Sequence, residues 1–538
     1  MSTRARWAAA ILALFAFRLF FGLASPLFGE DETQIFLIGL RYYATGAWPY
    51  FGPDVVWTKS EIPGALQGLL VGVPLHVWHA PEAPYLLLNV LSMLGLAALC
   101  WYITERLPGV PRWLVWAWYP TLPWTLQFST HILNPSYILM PSIAFFIAFF
   151  EVVPTLRLGK LPQPLAFAMM AAAIGWIAQV HMSYPLLVPY VAVALLVASR
   201  TPRAIAWNVV GLAAGALVTG AFIAPTWLHY GLFRGFGGTQ ANIRFHVVSP
   251  LVAVEVLARF FSFASLEMNR FVATDDAKRL MFFERRLWLV PFALVVLAAG
   301  LAQPVWMVRE WLRRRTPFRE WRTLQLLVAA TVLWVYGCYW FVMEPSQSHA
   351  FYAVAPIAFI FAAYCWTFVD SPRSRRAAAA LVAINIVYQI ALVVGHADRS
   401  LYHDRAVVAA AIDAKQPEMF AHRRPFSFDG GPATLQDPSR PYNPLRDCVL
   451  SNVRCTIGRD RIIVWSFTLT NTNPRVAFRD VVYQTSYGAG DVRHEFLRQV
   501  WQPGEAEAIE VNDGFAVGAT CDGATLRVIG AEALVPIR

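Results

Sequence analysis

Long runs without a single charged side chain constrain this chain more than any other feature; residues 8–17 and 324–335 are two of them. A bilayer core of about 30 Å is crossed by a helix of about 20 apolar residues. A chain that repeats such runs has few other solutions, because backbone in lipid must satisfy its own hydrogen bonds. The composition agrees: 57% of the 538 residues are apolar and 14% are charged, against about 45–50% and about 25% in soluble domains. An ordinary cytosolic enzyme, a disordered chain and a disulfide-knotted secreted domain are excluded. The expected class is a polytopic α-helical membrane protein with a soluble part attached.

Hydropathy predicts about eleven spans, near residues 7–27, 85–104, 112–129, 136–153, 164–181, 184–198, 205–226, 287–308, 323–343, 350–369 and 377–397. With the N-terminus inside, alternation puts the loops 105–112, 157–160, 200–203, 309–322 and 370–376 on the cytoplasmic side. Each carries Arg or Lys, as the positive-inside rule expects. This also accounts for the net charge of +10 without a nucleic-acid partner, which would need a basic face on a soluble module. The segment 64–80 is short for a span and holds Gly64, Gly68, Gly72 and Pro74. It reads as a re-entrant or interfacial helix packed on protein. Two large outer loops, 28–84 and 227–286, and an outer tail place the chemistry on the extracytoplasmic face; the Arg-rich usage is in keeping with a bacterial inner membrane.

Hydropathy collapses after His396. Residues 398–447 read as a polar helix followed by a Pro/Gly-rich linker, and residues 448–538 as an extracytoplasmic all-β sandwich of immunoglobulin type. Alternating segments at 461–470, 476–487 and 495–501, separated by turn residues, carry that reading. Cys448, Cys455 and Cys521 all lie in this tail, so an oxidising compartment lets one pair among them bridge.

The first outer loop opens with Gly29-Glu30-Asp31-Glu32-Thr33-Gln34. A carboxylate in such a cluster can take a proton from an attacking hydroxyl, and Glu30 with Asp31 has the charge to hold a divalent cation; no other cofactor is indicated. Thr45-Gly46-Ala47-Trp48-Pro49 and Lys59-Ser60-Glu61-Ile62-Pro63 follow in the same loop. The pattern resembles the GT-C glycosyltransferases, a superfamily that includes protein O-mannosyltransferases and lipid A aminoarabinose transferases. The resemblance covers the topology of residues 1–400 and is strongest over 1–160. His349-Ala-Phe-Tyr352-Ala-Val-Ala-Pro356 is similar to the family's basic–aromatic signature. Two departures stand out. Pro63-Gly64-Ala65-Leu66 replaces the usual Pro-Pro-Leu, and His131-Ile-Leu-Asn134 stands where many relatives carry a second Asp.

The resemblance implies an inverting transfer of a sugar from a polyprenyl-phosphate donor to an extracytoplasmic acceptor hydroxyl on a protein, lipid or glycan. Asp31 is then the base, and Glu32 orients it or the sugar. The leaving lipid phosphate needs cations at the outer bilayer edge. Lys59, Arg244, Arg270 and His349 are the candidates, with Glu61, His131, Asn134, His181 and Tyr352 completing the substrate-binding set. The alternative is a polytopic transporter or flippase of envelope glycoconjugates. Transporters place ionisable groups within their spans, whereas the acidic cluster here lies outside them and only Arg18 falls inside the first span, where it requires a buried partner.

Overall fold

Ser2 accepts a hydrogen bond from the Ala5 amide (3.2 Å) and so caps the first helix, α1 (Thr3–Ala24). At 1.5 Å per residue α1 is about 33 Å long, enough to cross a bilayer. The computed structural model describes residues 2–25, 29–55, 60–232, 245–272, 276–313, 319–342, 347–366, 371–395, 400–415, 427–428, 431–435, 444–458, 462–487, 491–515 and 520–536. Two units emerge: one comprises Met1–Pro53, Glu61–Phe236 and Ile243–Arg405, the other Asp54–Ser60, Gly237–Asn242 and Ala406–Arg538.

The helical unit continues with α2 (Gly29–Thr45), the hairpin strands β1 (Phe51–Val55) and β2 (Ser60–Pro63), α3 (Leu66–Val77), α4 (Ala83–Arg106), α5 (Arg112–Trp118), α6 (Pro123–Thr130), α7 (Leu139–Val152), α8 (Gln163–Ile177), α9 (Val188–Ala198) and α10 (Pro202–Tyr230). Among the described residues, six helical segments are long and apolar enough to cross a membrane: Ala5–Ala24, Ala83–Arg106, Asn134–Val152, Pro202–Tyr230, Leu287–Arg313 and Pro372–Gly395. Their outward faces are greasy. Leu228 of α10 is 88% exposed and Leu217 is 75% exposed, and Leu12 of α1 and Leu301 also face outward. So much exposed aliphatic surface on long helices is tenable in lipid and not in water. Helices α8 and α10 pack closely because they meet through glycines: a Cβ on Gly215 would sit 2.0 Å from the Ala168 carbonyl oxygen.

Two expectations change in the helical unit, and the reading of 64–80 as a short helix packed on protein does not. The acidic segment 29–34 is no loop; it forms the first turn of α2, where carboxylates favour the positive end of the helix dipole. The expected span 112–129 is broken into α5, a short 3-10 turn (Tyr119–Thr121) and α6. Pro120 and Pro123 remove amide donors there, and Ser129 leaves helical geometry at φ −148°, ψ 21°. The 64–80 segment contains α3, whose 12 residues reach about 18 Å and stop short of a bilayer. Leu66 to Gly72 are all buried in protein.

The other unit is built of antiparallel strands: β3 (Ser427–Phe428), β4 (Gly431–Leu435), β5 (Cys448–Ile457), β6 (Ile462–Asn471), β7 (Ala477–Tyr487), β8 (Asp491–Trp501), β9 (Ala506–Phe515) and β10 (Thr525–Pro536). They form one sheet in the order β3-β4-β10-β7-β8 and another in the order β5-β6-β9. Burial alternates strictly along β6, and its Trp465, Phe467 and Leu469 share one core with Phe478, Tyr483, Trp501 and Val528 of the larger sheet. Within 398–447 the structure has the helix Leu401–Asp413, and the stretch read as linker also supplies β4, which pairs with β10. Cys455 and Cys521 form the disulfide, joining β5 to the turn before β10 across 66 residues. A bridge closing a loop of that size stabilises by roughly 2–4 kcal/mol. Cys448 stays a thiol; burial, with Asp447 beside it, pushes its pKa up to about 12 and leaves it unreactive.

Candidate functional site

The segment 128–134, where α6 ends and α7 has not begun, gathers much of the predicted site. Its backbone groups lack helical partners, and other elements supply them. Arg18 of α1 is fully buried. Its Nη1 donates to the Pro120 carbonyl (2.7 Å); its Nη2 donates to the Ser129 hydroxyl (2.8 Å) and to the Thr125 and Ser129 carbonyls (both 3.3 Å). The buried partner this arginine requires is therefore a set of carbonyls released by the break, which a planar guanidinium with five donors is suited to collect. Gly22, one turn further along α1, lets the helix close onto the segment: a Cβ there would meet the Thr130 carbonyl oxygen at 2.3 Å.

Glu32 is fully buried and reaches the same segment from α2. Its Oε1 accepts from the Tyr85 hydroxyl (2.7 Å) and from the Ile132 amide (3.2 Å). Tyr85 stands in the first turn of α4, so one carboxylate joins α2, α4 and the 128–134 segment. Asp31 precedes Glu32 on the first turn of α2; the side chains of Asp31 and Glu30 lie outside the described residues. Asn134 accepts from Gln67 Nε2 of α3 (3.2 Å). His131 is fully buried against Phe21, with ring centroids 5.9 Å apart, and its Nδ1 lies 3.2 Å from the Gln127 carbonyl, so that nitrogen carries the proton.

Phe128 opens toward a second group. Its ring lies 6.2 Å from His349 and 5.7 Å from Tyr352. His181 and His349 meet edge to face with centroids 6.4 Å apart. The Ser183 amide donates to His181 Nδ1 (3.1 Å), which puts the proton of the neutral ring on Nε2. Both histidines are part-exposed, whereas Tyr352 is fully buried.

The Thr45-Gly46-Ala47-Trp48-Pro49 motif acquires a structural meaning. Gly46, at φ 71°, terminates α2: its amide donates to the Tyr42 carbonyl (2.8 Å), and Thr45 Oγ1 receives the Ala47 amide (3.1 Å). The chain then runs along α10, with Thr226 Oγ1 donating to the Tyr50 carbonyl (2.6 Å). Glu61, on β2, is exposed. Lys59, Arg244 and the side chain of Arg270 lie outside the described residues. Arg286, of the same long loop, stacks on Phe282 and donates to the Gly395 carbonyl (3.1 Å). Among the described residues, no group of three or more His, Cys, Asp or Glu side chains is placed to hold a metal ion.

Six of the predicted residues, Glu32, His131, Asn134, His181, His349 and Tyr352, thus sit on or around one segment. Sequence reasoning missed Tyr85, Gln67 and Phe128. A Tyr, a Gln and a Phe within apolar runs give no signal of their own, and only the break after α6 shows that they converge.

No family model and no curated protein matches the sequence. Among solved structures, the chain is similar to ArnT from Cupriavidus metallidurans in the apo state (13% identity, TM-score 0.40, 75% of this chain and 79% of that one). It is similar also to ArnT bound to undecaprenyl phosphate (14%, 0.39, 76% and 80%). A third likeness is to the arabinosyltransferase EmbB from Mycobacterium smegmatis (12%, 0.39, 99% and 64%).

Proposed function

We propose that this chain is an inverting membrane glycosyltransferase that moves a sugar from a polyprenyl-phosphate donor to an acceptor hydroxyl outside the cytoplasm. The observation that carries the reading is the convergence of six predicted site residues on the 128–134 segment, next to the helix turn that bears Asp31. Asp31 takes the proton of the acceptor hydroxyl as its oxygen attacks the anomeric carbon, and the lipid phosphate leaves. Lys59, Arg244 and Arg270 neutralise the charge that develops on that phosphate, and the ring N–H groups of His349 and His181 donate to it. Glu32 and His131, both fully buried, act behind the site: Glu32 holds the acidic turn in register, and His131 braces the segment. Asn134 and Tyr352 shape the cleft, and Glu61 faces the acceptor side.

The disulfide supports the orientation. A Cys455–Cys521 bridge belongs to an oxidising compartment, which supports reading residues 448–538 as extracytoplasmic; the basic loops support an N-terminus inside. Residues 1–397 then form the catalytic membrane domain, and the β-strand domain presents the acceptor.

Purified protein in detergent, mixed with a radiolabelled polyprenyl-phosphate sugar and envelope acceptors, is expected to release the lipid phosphate and label an acceptor. A transporter moves its cargo unaltered, so intact donor after prolonged incubation rejects the enzyme reading.

A further inference from the structure

Several buried carboxylates have no part in the mechanism, and of these Glu267 lies beside a predicted site residue. Glu267, only 4% exposed, stands at the end of a single 3-10 turn (Ser265–Glu267). Its Oε1 accepts from the Ser348 amide (3.1 Å) and from Arg259 Nε (2.8 Å), and its Oε2 accepts from the Ser348 hydroxyl. Arg259 also reaches Glu255 (3.3 Å). Ser348 is fully buried, and the next residue is His349.

The backbone that delivers Glu267 is strained. Phe263 and Ala264 are consecutive buried residues in the left-handed region, at φ 52° and 60°, a conformation costly for any residue with a Cβ. Tight packing on both sides keeps them there. Phe263 lies 4.9 Å from the Phe359 ring, and a Cβ on Gly300 would come within 2.7 Å of Ser265 Cβ. An ion pair with one part-exposed partner adds little to the stability of a fold. What this pair provides is position. The carboxylate grips both polar groups of Ser348, one residue before an imidazole that faces Phe128 and His181. The helix Met268–Val272, which carries Arg270, starts at the very next residue.

We propose that Glu267 is a positioning residue for the donor phosphate: through Ser348 it fixes His349, so that the imidazole is held in place to meet the lipid phosphate. This inference rests on the glycosyltransferase reading. Binding of undecaprenyl phosphate to the full-length protein in detergent tests it without requiring transfer. Ser348→Ala keeps the amide and removes the hydroxyl, and is expected to weaken binding about tenfold, the loss of one hydrogen bond to a charged group; Ser348→Thr restores it. In a His349→Ala background the same change adds less than about twofold, because coupled residues are non-additive. Equal effects of Ser348→Ala with and without His349, at unchanged melting temperature, overturn the positioning role while leaving the donor site intact. Wild-type protein that does not bind undecaprenyl phosphate removes the glycosyltransferase reading and this inference together.

Discussion

Asp31→Asn lowers the rate of sugar transfer by about 10²–10⁴-fold, the usual contribution of a positioned general base, with donor binding and melting temperature close to wild type. The amide is nearly the size of the carboxylate but cannot accept a proton at neutral pH. The first turn of α2 keeps its shape because Glu32 anchors it to Tyr85 and Ile132. The two neighbouring carboxylates therefore separate experimentally. Glu32→Leu removes the oxygen on which two donors converge, so the acidic turn loses its anchor and melting temperature falls along with rate. Initial rates with labelled donor, alongside thermal unfolding, distinguish the two. A loss smaller than about tenfold for Asp31→Asn, equivalent to about 1.4 kcal/mol of barrier, removes Asp31 from the role of base.

The second large effect falls far from the reacting atoms. Arg18→Met is expected to destabilise the helical unit by about 1–3 kcal/mol, since the Pro120 carbonyl loses its guanidinium donor in an apolar interior, whereas the Thr125 and Ser129 carbonyls keep the Ser129 and Ser92 hydroxyls. Arg18→Lys recovers part of this, because one ammonium cannot reach Pro120, Thr125 and Ser129 as a planar fork does. Transfer falls in step, because the 128–134 segment that Arg18 holds is the one that Glu32 and Gln67 approach from other helices. The measurement is thermal unfolding of purified variants in one detergent. An Arg18→Met protein that melts with wild type contradicts the assigned role.

Much of the fold was legible because a bilayer allows few solutions. Apolar runs marked α1, α4 and α10, and Thr201-Pro202 and Gly231 bracket α10 with its cap, first residue and terminator. Strand-type patterns bounded by turn residues marked β6 and β7. The break at 119–130 was not legible: its two prolines lie in a stretch apolar enough to read as one span, and nothing local shows that an arginine about a hundred residues earlier satisfies the freed carbonyls. The acidic segment was read as loop because its charges obscured a helix start that the same charges favour. The sequence picked out Glu32, as orienting Asp31 or the sugar, and His349, as a candidate cation for the leaving phosphate. That Glu32 is enclosed by Tyr85 and Ile132, and that His349 follows a residue clamped by Glu267, are long-range facts that no spacing encodes.

The most direct test of the central claim is a cryo-electron microscopy map of the full-length protein in a lipid nanodisc with undecaprenyl phosphate. The account predicts phosphate density beside the 128–134 segment, within hydrogen-bond reach of His349 or His181, with the Asp31 carboxylate facing the same cleft. Phosphate bound at the opposite end of the bundle, or an Asp31 carboxylate turned away from the bound lipid, contradicts it.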